Sequence, residues 1–200
     1  MSEKVESKSE TNLPQGAVAQ MYSLIAEQII NKTRIETGIC IDVGTGPAPL
    51  SAALTDITEL MIYAVDLSED RCRLAEKNVH EMELEDRIKV VRSDVHSLAF
   101  PDGFADLVVS RGSMFFWKDL SQAFKEIYRV LKPKGWAYIG GGYGSSQLKD
   151  KIKRGKEPSE KHLNIPRLNI DHINESLKKA EIKDFEIIND DSGLWIVIKR

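Results

Sequence analysis

The sequence is poor in the features that mark specialised proteins. Among its 200 residues there are only two cysteines, Cys40 and Cys72, and they are not in a CxxC arrangement. Neither a disulfide framework nor a cysteine metal centre is therefore expected, and the four histidines show no metal-ligand spacing. The net charge of −3 gives no global attraction to nucleic acid or to an anionic membrane.

Long apolar runs are also absent. No stretch approaches the roughly 20 apolar residues that span a bilayer. Residues 1–13 are polar and charged, which predicts a disordered tail without the apolar centre of a secretory signal. We therefore expect a cytoplasmic protein with no membrane partner, in which residues 14–200 form one domain with a sizeable core.

Apolar strand patterns alternate with amphipathic helix patterns along most of the chain. Strands are predicted over residues 38–43, 60–66, 88–92, 105–110 and 136–140, and helices over 16–32, 48–58, 69–82 and 119–131. This alternation favours a parallel sheet with helices on both faces. After a helix at 171–180, strands 185–189 and 194–199 are separated only by an Asp-Asp-Ser-Gly turn, which indicates a hairpin. The expected fold is α/β, doubly wound and Rossmann-like, with a C-terminal antiparallel pair.

Acids and glycines follow the predicted strands at the edge where such sheets bind ligands. Asp42 ends the first strand and leads into Gly44-Thr45-Gly46, a turn in which glycine lets a ligand approach the backbone. Asp66 ends the second strand, 20 residues beyond Gly46, a spacing suited to a carboxylate that binds ribose hydroxyls. Asp94 follows the third strand, where it could accept a hydrogen bond from an adenine amino group. Together these acids predict a nucleoside site of negative potential.

With these motifs, the chain resembles the class I S-adenosylmethionine-dependent methyltransferases, especially the small-molecule group called methyltransferase type 11. The matching segments follow the family's order and are IDVGTG, YAVDLS, SDVHSLAF, FADLVVSRG and EIYRVLKPKGWAYIGGG. The resemblance implies a seven-stranded sheet, bound S-adenosylmethionine and methyl transfer to a small molecule by in-line displacement. One position departs from the family loop, which often has a third glycine where this chain has Ala48.

The resemblance, together with the strand-end pattern, also implies which residues form the site. Cofactor contacts are expected from Asp42, Gly44, Thr45, Gly46, Asp66, Leu67, Asp94, Val95, Ser110 and Arg111. The acceptor pocket is expected to include Tyr22, His96, Ser113, Phe116, Trp117 and Tyr143. Asp42 is expected to organise the turn or to hold the cofactor's ammonium group. His96 is a candidate base, but no catalytic residue is assigned, because a sulfonium is already a good leaving group and the enzyme mainly aligns the reactants.

The segment 143–169 is interpreted as a lid or insertion over the site. From Gln147 to Lys161 it carries six lysine or arginine residues against three acids, which suits either an acidic acceptor or a solvated loop. No Asn-Pro-Pro-Tyr/Phe motif follows the fourth strand, which argues against a nucleic-acid acceptor.

Three other functions stay open at this point. A NAD(P)-dependent oxidoreductase could use the same turn and Asp66, although its fingerprint has glycine or alanine where this chain has Pro49. A non-catalytic S-adenosylmethionine-binding module would keep the cofactor residues without transferring the methyl group. An RNA methyltransferase rests only on the basic stretch 149–156.

Overall fold

The computed structural model describes residues 16–154 and 168–200. The helices of this part are α1 Ala17–Thr33, α2 Pro49–Thr55, α3 Glu69–Glu81, α4 Leu120–Val130, α5 Ser146–Arg154 and α6 Ile170–Lys179. The strands are β1 Thr37–Val43, β2 Glu59–Asp66, β3 Ile88–Arg92, β4 Ala105–Arg111, β5 Leu131–Gly142, β6 Phe185–Asp190 and β7 Gly193–Lys199. The predicted tail, residues 1–13, and residues 155–167 of the predicted lid lie outside the described residues.

The strands form one seven-stranded sheet in the order β3-β2-β1-β4-β5-β7-β6. The first five strands pair in parallel, and β7 lies antiparallel between β5 and β6. The predicted fold class is confirmed, including the C-terminal antiparallel pair. The order reverses at β1, since the chain moves outward through β2 and β3 and then returns to place β4 on the other side of β1.

Helices cover both faces of the sheet. α1, α2, α3 and α5 pack on one face, and α4 and α6 pack on the other. Cys40 and Leu107 face the first group, whereas Ile41 and Val108 face the second, and all four are fully buried. This two-sided burial explains why the central strands read as continuous apolar runs. Within the described residues, no helix has the length and apolar character needed to cross a bilayer.

Two bounds differ from the predicted ones by more than two residues, since α2 ends at Thr55 rather than at Thr58 and β5 begins earlier than predicted. α4 ends at Val130 and β5 begins at the next residue rather than at Trp136. Leu131 already pairs with Ala105, and the register then shifts before Trp136 pairs with Leu107. The predicted strand is therefore the regular part of a longer, irregular one.

The segment predicted as a lid contains helix α5, which the sequence pattern did not assign. Its apolar residues Leu148 and Ile152 are four positions apart and pack on the α1 face of the sheet. The other seven residues of α5 are polar or charged. So short and polar a helix gives little periodic signal, and its stability comes from packing.

The connection from β3 to β4, residues 93–104, is fixed on α4. Arg129 donates to the Leu98 carbonyl oxygen and pairs with Glu126, whose Oε2 accepts from the Leu98 amide at 2.9 Å. The Arg129 guanidinium lowers the pKa of Glu126. These contacts fix the loop that carries Asp94.

Candidate active site

A cavity of about 290 Å³ lies at the carboxyl edge of the sheet, beside the point where the strand order reverses. Doubly wound sheets bind ligands at this place. The cavity is lined by Val43, Gly44, Asp66, Leu67, Ser93, Asp94, Val95, His96, Ser113, Phe116, Trp117 and Lys118. All but Val43, Ser93 and Lys118 are residues that the sequence predicts for the site, so the structure brings most of the predicted set together.

The turn after β1 is held against β2 by backbone hydrogen bonds. The amides of Gly44 and Thr45 both donate to the Val65 carbonyl oxygen, at 2.8 and 2.9 Å. Gly44 has φ of 70°, and a Cβ there would overlap the Ser113 side chain. Gly46 has φ of 56°, but a Cβ there would meet no atom within 4 Å. Packing within the protein thus requires glycine at position 44, whereas the space beside Gly46 is open.

Asp42 lies beneath this turn rather than in the cavity. It is only 2% exposed, and its Oδ2 accepts hydrogen bonds from Thr45 Oγ1 at 2.8 Å and from Ser51 Oγ at 2.7 Å. Burial raises the pKa of Asp42 to about 6, and the two hydroxyl groups offset only part of that effect. Of the two roles predicted for Asp42, the geometry favours organisation of the turn.

Asp66 connects the turn to the next helix and also faces the cavity. Its Oδ2 accepts from the Gly46 amide and its Oδ1 from the Ser68 amide, each at 3.0 Å. Ser68 caps α3 by accepting from the Arg71 amide, as its position before the helix predicts. Because each carboxylate oxygen has a second lone pair, Asp66 can still accept hydrogen bonds from two hydroxyl groups of a ligand.

Asp94 and His96 form a fixed pair in the lining of the cavity. Asp94 Oδ1 accepts from the His96 amide at 2.9 Å and lies 2.6 Å from His96 Nδ1. The hydrogen bond from the His96 backbone amide makes the largest contribution to lowering the pKa of Asp94. The hydrogen bond from the His96 ring lowers it further. The Asp119 amide donates to His96 Nε2 at 3.2 Å, so the ring is a donor to Asp94 and an acceptor from Asp119. In this arrangement the Nε2 lone pair already accepts a hydrogen bond.

Apolar side chains line the cavity between these acids. Leu67 and Phe116 are 59% and 57% exposed, and they are two of the four large apolar residues that the described chain exposes. Trp117 lies beside Phe116, with its ring set edge-on to Phe124 at a centroid distance of 6.4 Å. A flat ring bound in this cavity would cover apolar surface that is otherwise costly to leave in water.

Hydroxyl groups join the ends of β4 and β1. The hydroxyl oxygens of Ser110 and Ser113 are 2.7 Å apart, and Ser113 Oγ donates to the Val43 carbonyl oxygen at 3.0 Å. Ser110 itself is fully buried. These bonds fix the start of the aromatic segment against the turn after β1.

Some predicted residues lie outside the cavity. Asp42, Thr45 and Ser110 are buried and are not part of its lining, and Gly46 lies in the turn beside open space. Arg111 lies at the end of β4 and contacts Tyr22 of α1, with Nη1 3.2 Å from the tyrosine hydroxyl. Tyr143 follows β5 and packs on the core beneath α1. The predicted acceptor pocket is therefore divided between the cavity and a second region at the α1 side of the sheet.

Sequence reasoning did not single out three cavity residues, Val43, Ser93 and Lys118. Each is adjacent in the chain to a predicted site residue, and that adjacency could have identified them.

Asn78 also supports the site, but no sequence signal comparable to that adjacency marks it. It is fully buried on α3, and its Nδ2 donates at 2.9 Å to the carbonyl oxygen of Pro47 in the turn, 31 positions away.

In residues 16–154 and 168–200, no group of three His, Cys, Asp or Glu side chains is placed to hold a metal ion.

Comparisons with known proteins agree with this geometry. A family model described as a methyltransferase domain matches residues 41–139. A crystal structure from Methanococcus maripaludis, provisionally described as an S-adenosyl-L-methionine-dependent methyltransferase, is 43% identical, covers 92% of this chain and 87% of its own, and has a TM-score of 0.86.

Two curated relatives match shorter segments. The uncharacterized methyltransferase YdaC of Bacillus subtilis is 30% identical over 112 residues, which are 55% of this chain and 60% of YdaC. The mitochondrial arginine-hydroxylase NDUFAF5 of Rattus norvegicus is 30% identical over 129 residues, which are 64% of this chain and 35% of that protein. The chain thus spans less than two thirds of the length of these curated relatives.

The topology and the acid-lined cavity define a doubly wound α/β protein with a ligand site at the reversal point of its sheet. The likeness to the Methanococcus maripaludis structure extends over nearly the whole chain. The chain belongs to the class I S-adenosylmethionine-dependent methyltransferase family. The family resemblance inferred from the sequence motifs is confirmed.

Replacing Gly44 by alanine should lower the free energy of unfolding by about 2–4 kcal/mol, because the new Cβ overlaps Ser113 and the left-handed backbone adds about 1–2 kcal/mol of strain. Gly46→Ala is the matched control, since it carries similar backbone strain without an overlap. Urea unfolding measures both variants. The double variant Gly44→Ala/Ser113→Gly should recover part of the loss, and equal losses in the two single variants would contradict this account of the turn.

Asp42 should make the stability depend on pH between about pH 4 and pH 6. Because its pKa is raised in the folded state, its stabilising contribution is full below the ordinary carboxyl range and is lost as the pH rises through about 6. A rise of about two units corresponds to roughly 3 kcal/mol. Asp42→Asn should remove this decline in urea unfolding measured from pH 4.5 to 7.5, whereas the exposed Asp56→Asn should keep it. Parallel curves for wild type and Asp42→Asn would show that the buried carboxyl does not titrate in this way.

Proposed function

We propose that this chain binds S-adenosylmethionine and transfers its methyl group to a small-molecule acceptor. The observation that carries the proposal is the placement of Asp66 and Asp94 on one cavity, beside a glycine turn and between exposed apolar side chains. Membership of the family supports the same cofactor and reaction. The acceptor class and a cytoplasmic location are parts of this proposal.

Each part of the cavity suits one part of the cofactor. Asp66 retains acceptor capacity for ribose hydroxyls, and Asp94 is ionised and fixed where it can accept from an adenine amino group. Leu67 and Phe116 would cover the faces of the base, which accounts for their exposure in the free protein. Open space beside Gly46 lets the remainder of the ligand approach the turn. The two cavity acids outnumber the one cavity lysine, Lys118, and this net negative charge favours a cationic ligand over a neutral one.

When bound, the cofactor would supply an electrophilic methyl group on a sulfonium. The acceptor atom would bond to the methyl carbon in line as the carbon–sulfur bond breaks, and S-adenosylhomocysteine would be the leaving group. The tasks left to the protein are alignment and the exclusion of water. Phe116 and Trp117 provide apolar cover at the end of β4, and the Ser110–Ser113 contact fixes where that cover begins. No side chain is proposed as a base, since the Nε2 atom of His96 accepts a hydrogen bond from Asp119.

A second candidate is a member of the same fold that does not transfer a methyl group. One curated relative, NDUFAF5, is named as an arginine-hydroxylase, so the family's fold is not restricted to methyl transfer. A module that binds the cofactor without turnover would have the same cavity. The two candidates differ in whether the demethylated cofactor is released.

Titration calorimetry with S-adenosylmethionine and with NAD, followed by turnover assays over a metabolite panel, tests the proposal. We expect binding of S-adenosylmethionine only, and release of S-adenosylhomocysteine with at least one acceptor. Binding with no turnover over the panel would favour the non-transferring candidate. Binding of NAD in place of S-adenosylmethionine would overturn the assignment.

Asp66→Ala should weaken S-adenosylmethionine binding by about 1–3 kcal/mol, roughly 5- to 150-fold in Kd, because the ribose hydroxyls lose their acceptor. Asp70→Ala is the matched control, since the Asp70 side chain is 90% exposed on α3 and does not line the cavity. Calorimetry gives both constants, and circular dichroism confirms folding. An unchanged Kd in a folded Asp66→Ala variant would place the ribose elsewhere.

A further inference from the structure

Arg111, the last residue of β4, extends to the α1 side of the sheet, next to the cavity but not in its wall. Its Nη1 donates to the Tyr22 hydroxyl at 3.2 Å, and its Nη2 donates to the Gly142 carbonyl oxygen at 3.1 Å and lies 3.3 Å from the sulfur of Met21. The guanidinium carbon is 5.2 Å from the centre of the Tyr22 ring. All of these partners are neutral.

The charge of Arg111 has no counter-ion in the described part of the chain. No carboxylate of those residues lies within 4.0 Å of its nitrogens, although several other arginines pair with an acid. Its Nε is buried and has no hydrogen-bond acceptor. A partly buried guanidinium with only neutral partners and one unsatisfied donor is costly, and an anion placed beside it would remove that cost.

Helix α5 adds basic residues on the same face of the sheet as Arg111. Helix α5 packs on α1 and carries four basic residues against one acid: Lys149, Lys151, Lys153 and Arg154, with Asp150. In the β6–β7 turn, Asp190 already accepts hydrogen bonds from the amide and the hydroxyl of Ser192. The charged side chains at the carboxyl edge of the sheet therefore differ in sign between its two halves. Acids follow β1, β2 and β3, while the guanidinium and the basic helix follow β4 and β5.

We propose that Arg111 binds an anionic group of the methyl acceptor, a carboxylate or a phosphate. This proposal rests on the proposed function and adds the charge of its substrate. The division of the edge separates a cationic cofactor, at the acids, from an anionic acceptor, at the arginine. The planar guanidinium suits either anion because it can donate two parallel hydrogen bonds. Ser113, two residues beyond Arg111, lines the cavity, so the end of β4 connects the arginine to the cofactor site.

The cofactor also carries a carboxylate, and the test must distinguish the two sources. Titration of wild type and Arg111→Gln with S-adenosylmethionine is the first arm. The second arm titrates both proteins, saturated with S-adenosylhomocysteine, with benzoate, with its neutral analogue benzamide and with inorganic phosphate at constant ionic strength. Arg71→Gln, an exposed arginine on α3, is the matched control.

We expect wild type and Arg71→Gln to bind an anion at least tenfold more tightly than benzamide, and Arg111→Gln to lose that preference while its Kd for S-adenosylmethionine changes less than threefold. A wild type without the preference, or a preference retained in Arg111→Gln, would overturn the proposal. A tenfold loss of S-adenosylmethionine binding in Arg111→Gln would also overturn it, because the arginine would then hold the cofactor's carboxylate.

Tyr22→Phe keeps the test decisive if Arg111→Gln does not fold. Removal of the hydroxyl frees one Nη1 donor, so anion binding should tighten at least threefold, and weaker binding would contradict the proposal. A wild type that binds no S-adenosylmethionine would instead refute the proposed function, which separates that failure from the failure of the arginine assignment.

Discussion

The site depends on the short turn that follows β1 and on the contacts that hold this turn against β1, β2 and the end of β4. Two successive amides, of Gly44 and Thr45, share the Val65 carbonyl oxygen of β2. Ser113, after β4, occupies the space that a Cβ at Gly44 would need. Asp42 binds the turn from below through Thr45 Oγ1. Since these contacts come from β1, β2 and β4, they fix the relative positions of the strand ends that surround the cavity.

Charge is distributed over this fixed edge in a way that matches the proposed chemistry. The carboxylates of Asp66 and Asp94 face the cavity and favour a cation. The carboxylate of Asp42 lies outside the cavity and accepts hydrogen bonds from the hydroxyl groups of Thr45 and Ser51. Arg111 lies on the other side of the reversal point, and its partners within residues 16–154 and 168–200 are all neutral. A cationic methyl donor and an anionic acceptor would each meet the opposite charge, and the distance between them would be set by the β4 end.

The sequence predicted the sheet and most of the cavity because both depend on local patterns. Continuous apolar runs mark strands that are buried on two faces, and an acid or glycine directly after each run must lie at the common carboxyl edge. Leu67, Val95 and Phe116 follow the same strand ends, and the family resemblance together with the strand-end pattern predicted them. Strand ends are fixed by the register of the sheet, so a prediction of the strand also places the residue that follows it.

The remaining features depend on packing between distant segments, which no local pattern records. Helix α5 has only two apolar residues and is stabilised by α1. Ala48 adopts φ of 64°, a left-handed conformation that alanine does not favour and that the local sequence does not predict. Side-chain direction is equally non-local. The carboxylate of Asp42 turns toward Ser51 rather than the cavity, and Tyr22 turns toward Arg111, 89 positions away.

The most direct test of the central claim is a crystal structure of the protein with bound S-adenosylhomocysteine. The account predicts that the ribose hydroxyls lie within hydrogen-bond distance of Asp66, that the adenine amino group lies near Asp94, and that the base packs between Leu67 and Phe116. Density for the nucleoside at any other place on the molecule, with this cavity empty, would contradict it.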